Sequence, residues 1–134
     1  MSAARILVIE DNTHNIELVD YLLRAHGYVS LLARDGLHGI RIARAQRPDL
    51  ILLDIRMPEM DGFAVIAAIR GDPALRTTPT IAVTASVMNG DRQRIAAAGF
   101  DGYLRKPIEP ETFIDEIERF LARPAALDRV GQRP

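Results

Sequence analysis

Five short apolar runs alternate with helix-periodic stretches along this 134-residue chain, and that alternation restricts its fold more than any other feature. The most telling run is Leu50-Ile51-Leu52-Leu53, apolar on both faces as a strand in the middle of a parallel sheet must be. Strands are expected at about 5–9, 28–32, 50–54, 80–84 and 102–105. Between them, Ile16, Val19, Leu22 and Leu23 share one face of a helix over 12–25 that Gly27 stops. Asp35 can cap a second helix, which carries Leu37, Ile40 and Ala43 to about Gln46 before Pro48 ends it. A short third helix over 62–70 closes at the turn Gly71-Asp72-Pro73. The fourth, over 90–98, is polar and weakly amphipathic, and the last opens near Pro110 and buries Phe113, Ile117, Phe120 and Leu121. Five strands alternating with five helices predict an α/β fold, a parallel sheet with helices on both faces joined by right-handed crossovers.

A chain of this length with 48% hydrophobic residues can bury one core and is too short for two. Its 17 basic and 18 acidic side chains leave a net charge of -1, so neither nucleic acid nor an anionic membrane is attracted globally. Without cysteine there is no disulfide framework, thiolate nucleophile or cysteine metal site. No apolar run approaches the roughly 20 residues of a membrane span, and Met1-Ser2-Ala3-Ala4-Arg5 does not open a signal peptide. A cytoplasmic protein with no membrane insertion is expected, with one domain over residues 4–123 and a flexible tail over 124–134.

Chemistry in an open parallel sheet gathers at the carboxyl ends of the strands. Leu7-Val8-Ile9 runs into Glu10-Asp11, and the central run closes on Asp54, followed by Ile55-Arg56-Met57-Pro58 and Asp61-Gly62. Ile81-Ala82-Val83 leads to Thr84, and Tyr103-Leu104-Arg105 delivers Lys106-Pro107. Singly, each has a plain explanation. Asp-Asn-Thr before a helix caps it, Asp54 suits a turn, threonine is common in strands, and Lys-Pro is an ordinary turn pair. Jointly, three carboxylates, a hydroxyl and an ammonium fall at the same ends of their strands.

Glu10, Asp11 and Asp54 side by side would repel one another unless a cation joins them. Oxygen ligands without Cys or His select a hard divalent ion, and so few carboxylates suit Mg²⁺ better than Ca²⁺. The chemistry that uses the whole set is phosphoryl transfer to Asp54, giving an aspartyl phosphate. Mg²⁺ would bridge carboxylates and a phosphoryl oxygen, Lys106 would supply a point charge, and the Thr84 hydroxyl or backbone N–H groups would bind another oxygen. Positioning and charge neutralisation suffice for such a step.

These motifs, Ile6 to Asn12, Pro48 to Pro58, Asp61-Gly62, Val83-Thr84-Ala85 and Tyr103 to Pro107, resemble the receiver domain of two-component response regulators. The likeness runs from about Ala4 to Arg123 and is similar to the stand-alone, single-domain type. It implies the flavodoxin-like sheet order 2-1-3-4-5. It also implies Asp54 as phosphoacceptor, Asp11 as a direct Mg²⁺ ligand, Glu10 as one acting through water, and the Arg56 backbone carbonyl as a further ligand. Thr84 and Tyr103 match the switch pair, Lys106 the phosphate-binding lysine, and the Lys106-Pro107 bond is expected to be cis. The implied donor is a histidine kinase or histidine phosphotransfer protein. The implied output surface is the fourth helix, fifth strand and fifth helix, meeting a downstream protein. Such a domain is a signalling switch, not an enzyme, although it promotes its own phosphorylation and dephosphorylation.

Arg56 and Ser86 have no fixed identity in that family. They flank the path of water to a phosphoryl group, so Arg56 is expected to shield the phosphate and Ser86 to be too short to orient a water, giving slow self-dephosphorylation. His14, His26 and His38 suggest no metal site, and Arg41, Arg44 and Arg47 read as a solvated helix face. Met57 and Met88 border the site loops, where packing is the plain expectation and partner contact the lesser one. Two other functions stay open: a Mg²⁺-dependent aspartate-nucleophile phosphatase of the haloacid dehalogenase type, and an interaction module independent of phosphorylation. The first wants an aspartate two positions after its nucleophile, where Arg56 stands.

Overall fold

The computed structural model describes residues 3–88 and 90–122. In chain order the elements are β1 (Arg5–Ile9), α1 (Thr13–Ala25), β2 (Val29–Ala33), α2 (Gly36–Gln46), β3 (Leu50–Asp54), α3 (Gly62–Gly71), β4 (Thr80–Thr84), α4 (Asp91–Ala98), β5 (Gly102–Arg105) and α5 (Pro110–Ala122). The strands pair in the order β2-β1-β3-β4-β5, every pair parallel. The expected tail over 124–134 lies outside the described residues.

Alternation along the strands divides the core in two. Ile6, Val8, Leu50, Leu52, Ile81 and Val83 face α1 and α5, where Ile16, Val19, Leu23, Phe113 and Ile117 meet them. Leu7, Ile9, Ile51, Leu53 and Ala82 face the other helices, meeting Ile40, Val65, Ile66, Ile69 and Ile95. Burial on both sides explains why β3 and β4 carry no exposed residue.

Three elements differ in detail from the periodicity. β2 starts at Val29, because the Tyr28 N–H donates to the Leu23 carbonyl and so belongs to the turn that ends α1. Leu37 does not point inward; it is 55% exposed. The face α2 turns to the sheet is set by Gly36 and Gly39, and a Cβ at Gly39 would lie 2.4 Å from Ile9 Cδ1, so bare glycine brings the helix close and rotates Leu37 outward. In α5 the third fully packed position is Ile114, while Phe120 and Leu121 are only partly buried.

Side-chain caps start the first three helices: Asn12 accepts from Asn15 N–H, Asp35 from His38 N–H and Asp61 from Ala64 N–H. α4 differs, opening at Gly90 with no side-chain cap and burying Ile95 alone.

Candidate functional site

Parallel register brings the polar strand ends together. Ile9 pairs with Leu53, Asp54 with Val83 and Thr84 with Arg105, so the residues that follow emerge along one edge. The ladder continues one step past the strands, Ile55 N–H donating to Val83 O and Lys106 N–H to Thr84 O.

Glu10, Asp11 and Asp54 each place a carboxylate oxygen within 4.8 Å of the others. Glu10 and Asp54 are only 4% and 3% exposed, so their charges are set by one another and by few other groups. The side-chain cap of α1 is Asn12, whose own N–H donates to Glu10 Oε2 at 3.2 Å. Asp54 does take part in a turn, its Oδ1 accepting from Arg56 N–H at 3.1 Å. Lys106 Nζ reaches both buried acids, 3.1 Å from Glu10 Oε1 and 3.3 Å from Asp54 Oδ1. The Lys106-Pro107 peptide bond is cis, as expected.

Burial, then the hydrogen bond and charge of Glu10, push the Asp54 carboxyl up to about 7, against the opposing pull of Lys106 and the Arg56 N–H. Burial works against the Lys106 charge, yet the carboxylates of Asp54 and Glu10 outweigh it and hold the ammonium above its ordinary value. Both partners thus shift upward: the single cation stays charged and does not neutralise two crowded acids. The cluster is short of positive charge, and a hard cation on those oxygens would supply it.

Thr84 is buried at the end of β4, but its hydroxyl serves its own loop, donating to Ser86 O at 3.0 Å and accepting from Ser86 N–H at 3.2 Å. Tyr103 is half-buried on β5, with the Arg92 guanidinium 5.8 Å from its ring centre. Arg56 is exposed and lines a cleft of about 540 Å³ with Met57, Asp61, Phe63 and Arg94. Phe63, Asp91 and Arg94 surround the site without having drawn attention in the sequence. The Arg94 guanidinium stacks 4.0 Å from the Phe63 ring centre, and Ser86 Oγ donates to Asp91 Oδ2 at 2.9 Å. Nothing in the chain's spacing marks these three, because where they meet depends on how α3 and α4 are set on the sheet.

Other sequence candidates stay outside. Among the described residues the acidic trio includes no histidine; His14 and His38 are exposed, and His26 Nδ1 lies 2.9 Å from Leu22 O. Arg41 is solvated, but Arg44 pairs with Asp72 at 2.9 Å and Arg47 ends α2 with φ 47. Met57 is packed, as expected, whereas Met88 is 74% exposed. No helix among the described residues is long and apolar enough to cross a membrane.

A doubly wound sheet carrying this acidic edge with a lysine defines a class. The response regulator receiver domain family matches residues 6–118, and the chain belongs to that family. It is 42% identical over 116 residues to the polar-differentiation response regulator DivK of Brucella anthropi, covering 87% of this chain and 94% of that protein. Among solved structures, the chemotaxis protein CheY4 of Vibrio cholerae superposes with a TM-score of 0.85 at 30% identity, over 89% of this chain and 99% of that one. The receiver domain of the sensor histidine kinase PA1611 of Pseudomonas aeruginosa, described with a magnesium ion coordinated in its active-site cleft, gives 0.83 at 35% identity over 91% and 100%. The chain is thus a two-component signal-transduction receiver similar to DivK, with the expected sheet order.

Proposed function

We propose that the chain, with its receiver unit over about 4–123, accepts a phosphoryl group on Asp54 and passes that state to a protein partner. The observation that carries the reading is the Lys106 ammonium within 3.3 Å of two buried acids, one of which is pushed up to about 7. Such a carboxylate is crowded with negative charge and lies where a donor can reach it from the open strand ends.

Mg²⁺ fits the donor set: three carboxylates of oxygen-only character, with the Arg56 carbonyl on the adjoining loop as the further candidate. When bound it supplies charge neutralisation and a fixed orientation for phosphoryl oxygens. The remaining work falls to the chain. Asp54 attacks in its ionised form; an O–P bond forms to its carboxylate as the N–P bond of a phosphohistidine breaks, and the imidazole nitrogen leaves with the bonding pair. Lys106 offsets the charge on the transferred group, and the Thr84 hydroxyl turns from Ser86 to donate to a phosphoryl oxygen. Tyr103 follows, changing the face made by α4, β5 and α5. A cavity of about 500 Å³ there, lined by Tyr103, Lys106, Pro107, Ile108 and Phe113, gives a protein partner a concave surface beside the site.

The donor is a histidine kinase or histidine phosphotransfer protein, the setting is cytoplasmic, and the product is a signalling state. A phosphatase acting on small substrates is disfavoured by the exposed Arg56 where a second catalytic carboxylate would be needed. Intact mass after incubation with Mg²⁺ and acetyl phosphate tests the reading. Wild type should gain one phosphoryl group and Asp54→Asn none; label on the variant would move the acceptor, and no label on wild type would leave an interaction module.

A further inference from the structure

We infer that Asp91 is a positioning residue for the Thr84 hydroxyl, acting through Ser86 and holding the site in its resting arrangement; this rests on the phosphoacceptor reading of Asp54. Thr84 has one hydroxyl proton, and it is given to Ser86 O at 3.0 Å. The same oxygen accepts from Ser86 N–H at 3.2 Å, so both functions of the hydroxyl are spent on one residue. That proton is not available to a phosphoryl oxygen until the Thr84–Ser86 pairing opens.

What holds Ser86 in place is α4. Asp91 Oδ2 accepts from Ser86 Oγ at 2.9 Å and from Met88 N–H at 3.2 Å, while Asp91 N–H donates to Met88 O at 2.9 Å. A carboxylate in the first turn of a helix is favoured by the helix dipole, and a hydroxyl donating to it makes a charge-assisted bond. The chain of contacts therefore runs from Thr84 through Ser86 to the first residue of α4.

The two ends of α4 are fastened differently. At its far end the Arg70 guanidinium donates to Gly99 O and to Asp101 Oδ2, each at 2.9 Å, and to Thr78 O at 2.9 Å, while Asp101 accepts from Thr80 N–H at 2.8 Å. Arg70 and Asp101 are largely shielded from water, so this end is fixed to the sheet. The near end has no side-chain cap, and its polar ties to the loop before it include those of Asp91. When Thr84 turns toward Asp54, the end of α4 that answers is the one Asp91 governs.

The test measures the labelling rate by acetyl phosphate with Mg²⁺, by intact mass, for Ser86→Ala, Asp91→Ala and the double variant, each with Thr84 and with Thr84→Val. Loss of one charge-assisted bond that stabilises the resting state should speed labelling roughly threefold to tenfold. The double variant should exceed neither single one, and the gain should vanish in the Thr84→Val background. Ser86→Ala changes one atom and keeps the fold if Asp91→Ala does not. Unchanged rates in both singles, or a gain that persists with Thr84→Val, would overturn the inference while leaving Asp54 as acceptor. Absence of label on wild type would instead overturn the phosphoacceptor reading, and this one with it.

Discussion

α3 and α4 follow neighbouring central strands and flank the same site, yet they are held in opposite ways. α3 is capped by Asp61, buries Val65, Ile66 and Ile69, and seats Gly62 against the backbone of Asp54 and Ile55. α4 has an uncapped start and a single buried side chain. The wall beside the Asp54 carboxylate is thus fixed, and the wall beside the Thr84 hydroxyl is lightly attached. A switch needs both. On the proposed function, Asp54 must keep its place against Lys106 and the other acids, while a reporting element must have a second position within reach of a few kcal/mol.

Gly62 offers the sharpest way to break the contrast. A Cβ there would sit 2.6 Å from Ile55 Cα and 2.8 Å from Asp54 O, backbone atoms that cannot move aside. Gly62→Ala is expected to cost about 3 kcal/mol in urea unfolding. Gly90→Ala, at φ 93 with open space around its Cβ, should cost only about 1 kcal/mol. Equal costs would erase the difference between the two walls.

The next effect concerns the charge on the fixed side. Asp54 has its folded pKa raised from 3.8 to about 7, so the protonated form is favoured in the native state. Its stabilising contribution is fully present below pH 3.8 and is lost as pH rises through about 7. Metal-free protein should therefore melt lower at pH 8 than at pH 5 in a way that Asp54→Asn reduces, by roughly several degrees. Mg²⁺ should raise the wild-type melting temperature at pH 8 and raise that of Asp54→Asn less. A melting temperature for the variant that falls with pH as steeply as wild type would exclude Asp54 as the source.

Smaller again is the cap. Asp61→Ala should destabilise by about 1 kcal/mol, since one N–H of α3 loses its acceptor. The smallest effect is at Arg56, exposed at the mouth of the cleft. If it shields the phosphate, Arg56→Asn should speed loss of label from Asp54 roughly severalfold, read as mass against time after the donor is removed.

Much of this was legible in the chain because periodicity and strand ends are local. The run from Leu50 to Leu53 announces a central strand, and Glu10, Asp11, Asp54, Thr84 and Lys106 are found at one edge once the strands are parallel. Resemblance supplied the sheet order, which alternation alone leaves open. The exposure of Leu37 could not be read, because its helix is oriented by two glycines, whose contribution is an absence of side chain. The Ser86–Asp91 and Arg70–Asp101 contacts were invisible for different reasons: the first depends on how the segment before α4 curls back on its own helix, the second on how α3 packs against the turn before β5. The candidate site residues lie at strand ends and could be read; the contacts packed around them could not.

The contrast between the walls is tested most directly by backbone hydrogen exchange over α3 and α4, before and after phosphorylation of Asp54 with Mg²⁺ and acetyl phosphate. The account predicts faster exchange in α4 than in α3 at rest, a change at the start of α4 on phosphorylation, and α3 unaltered. Equal protection in the two helices at rest, or a response confined to α3, would contradict it.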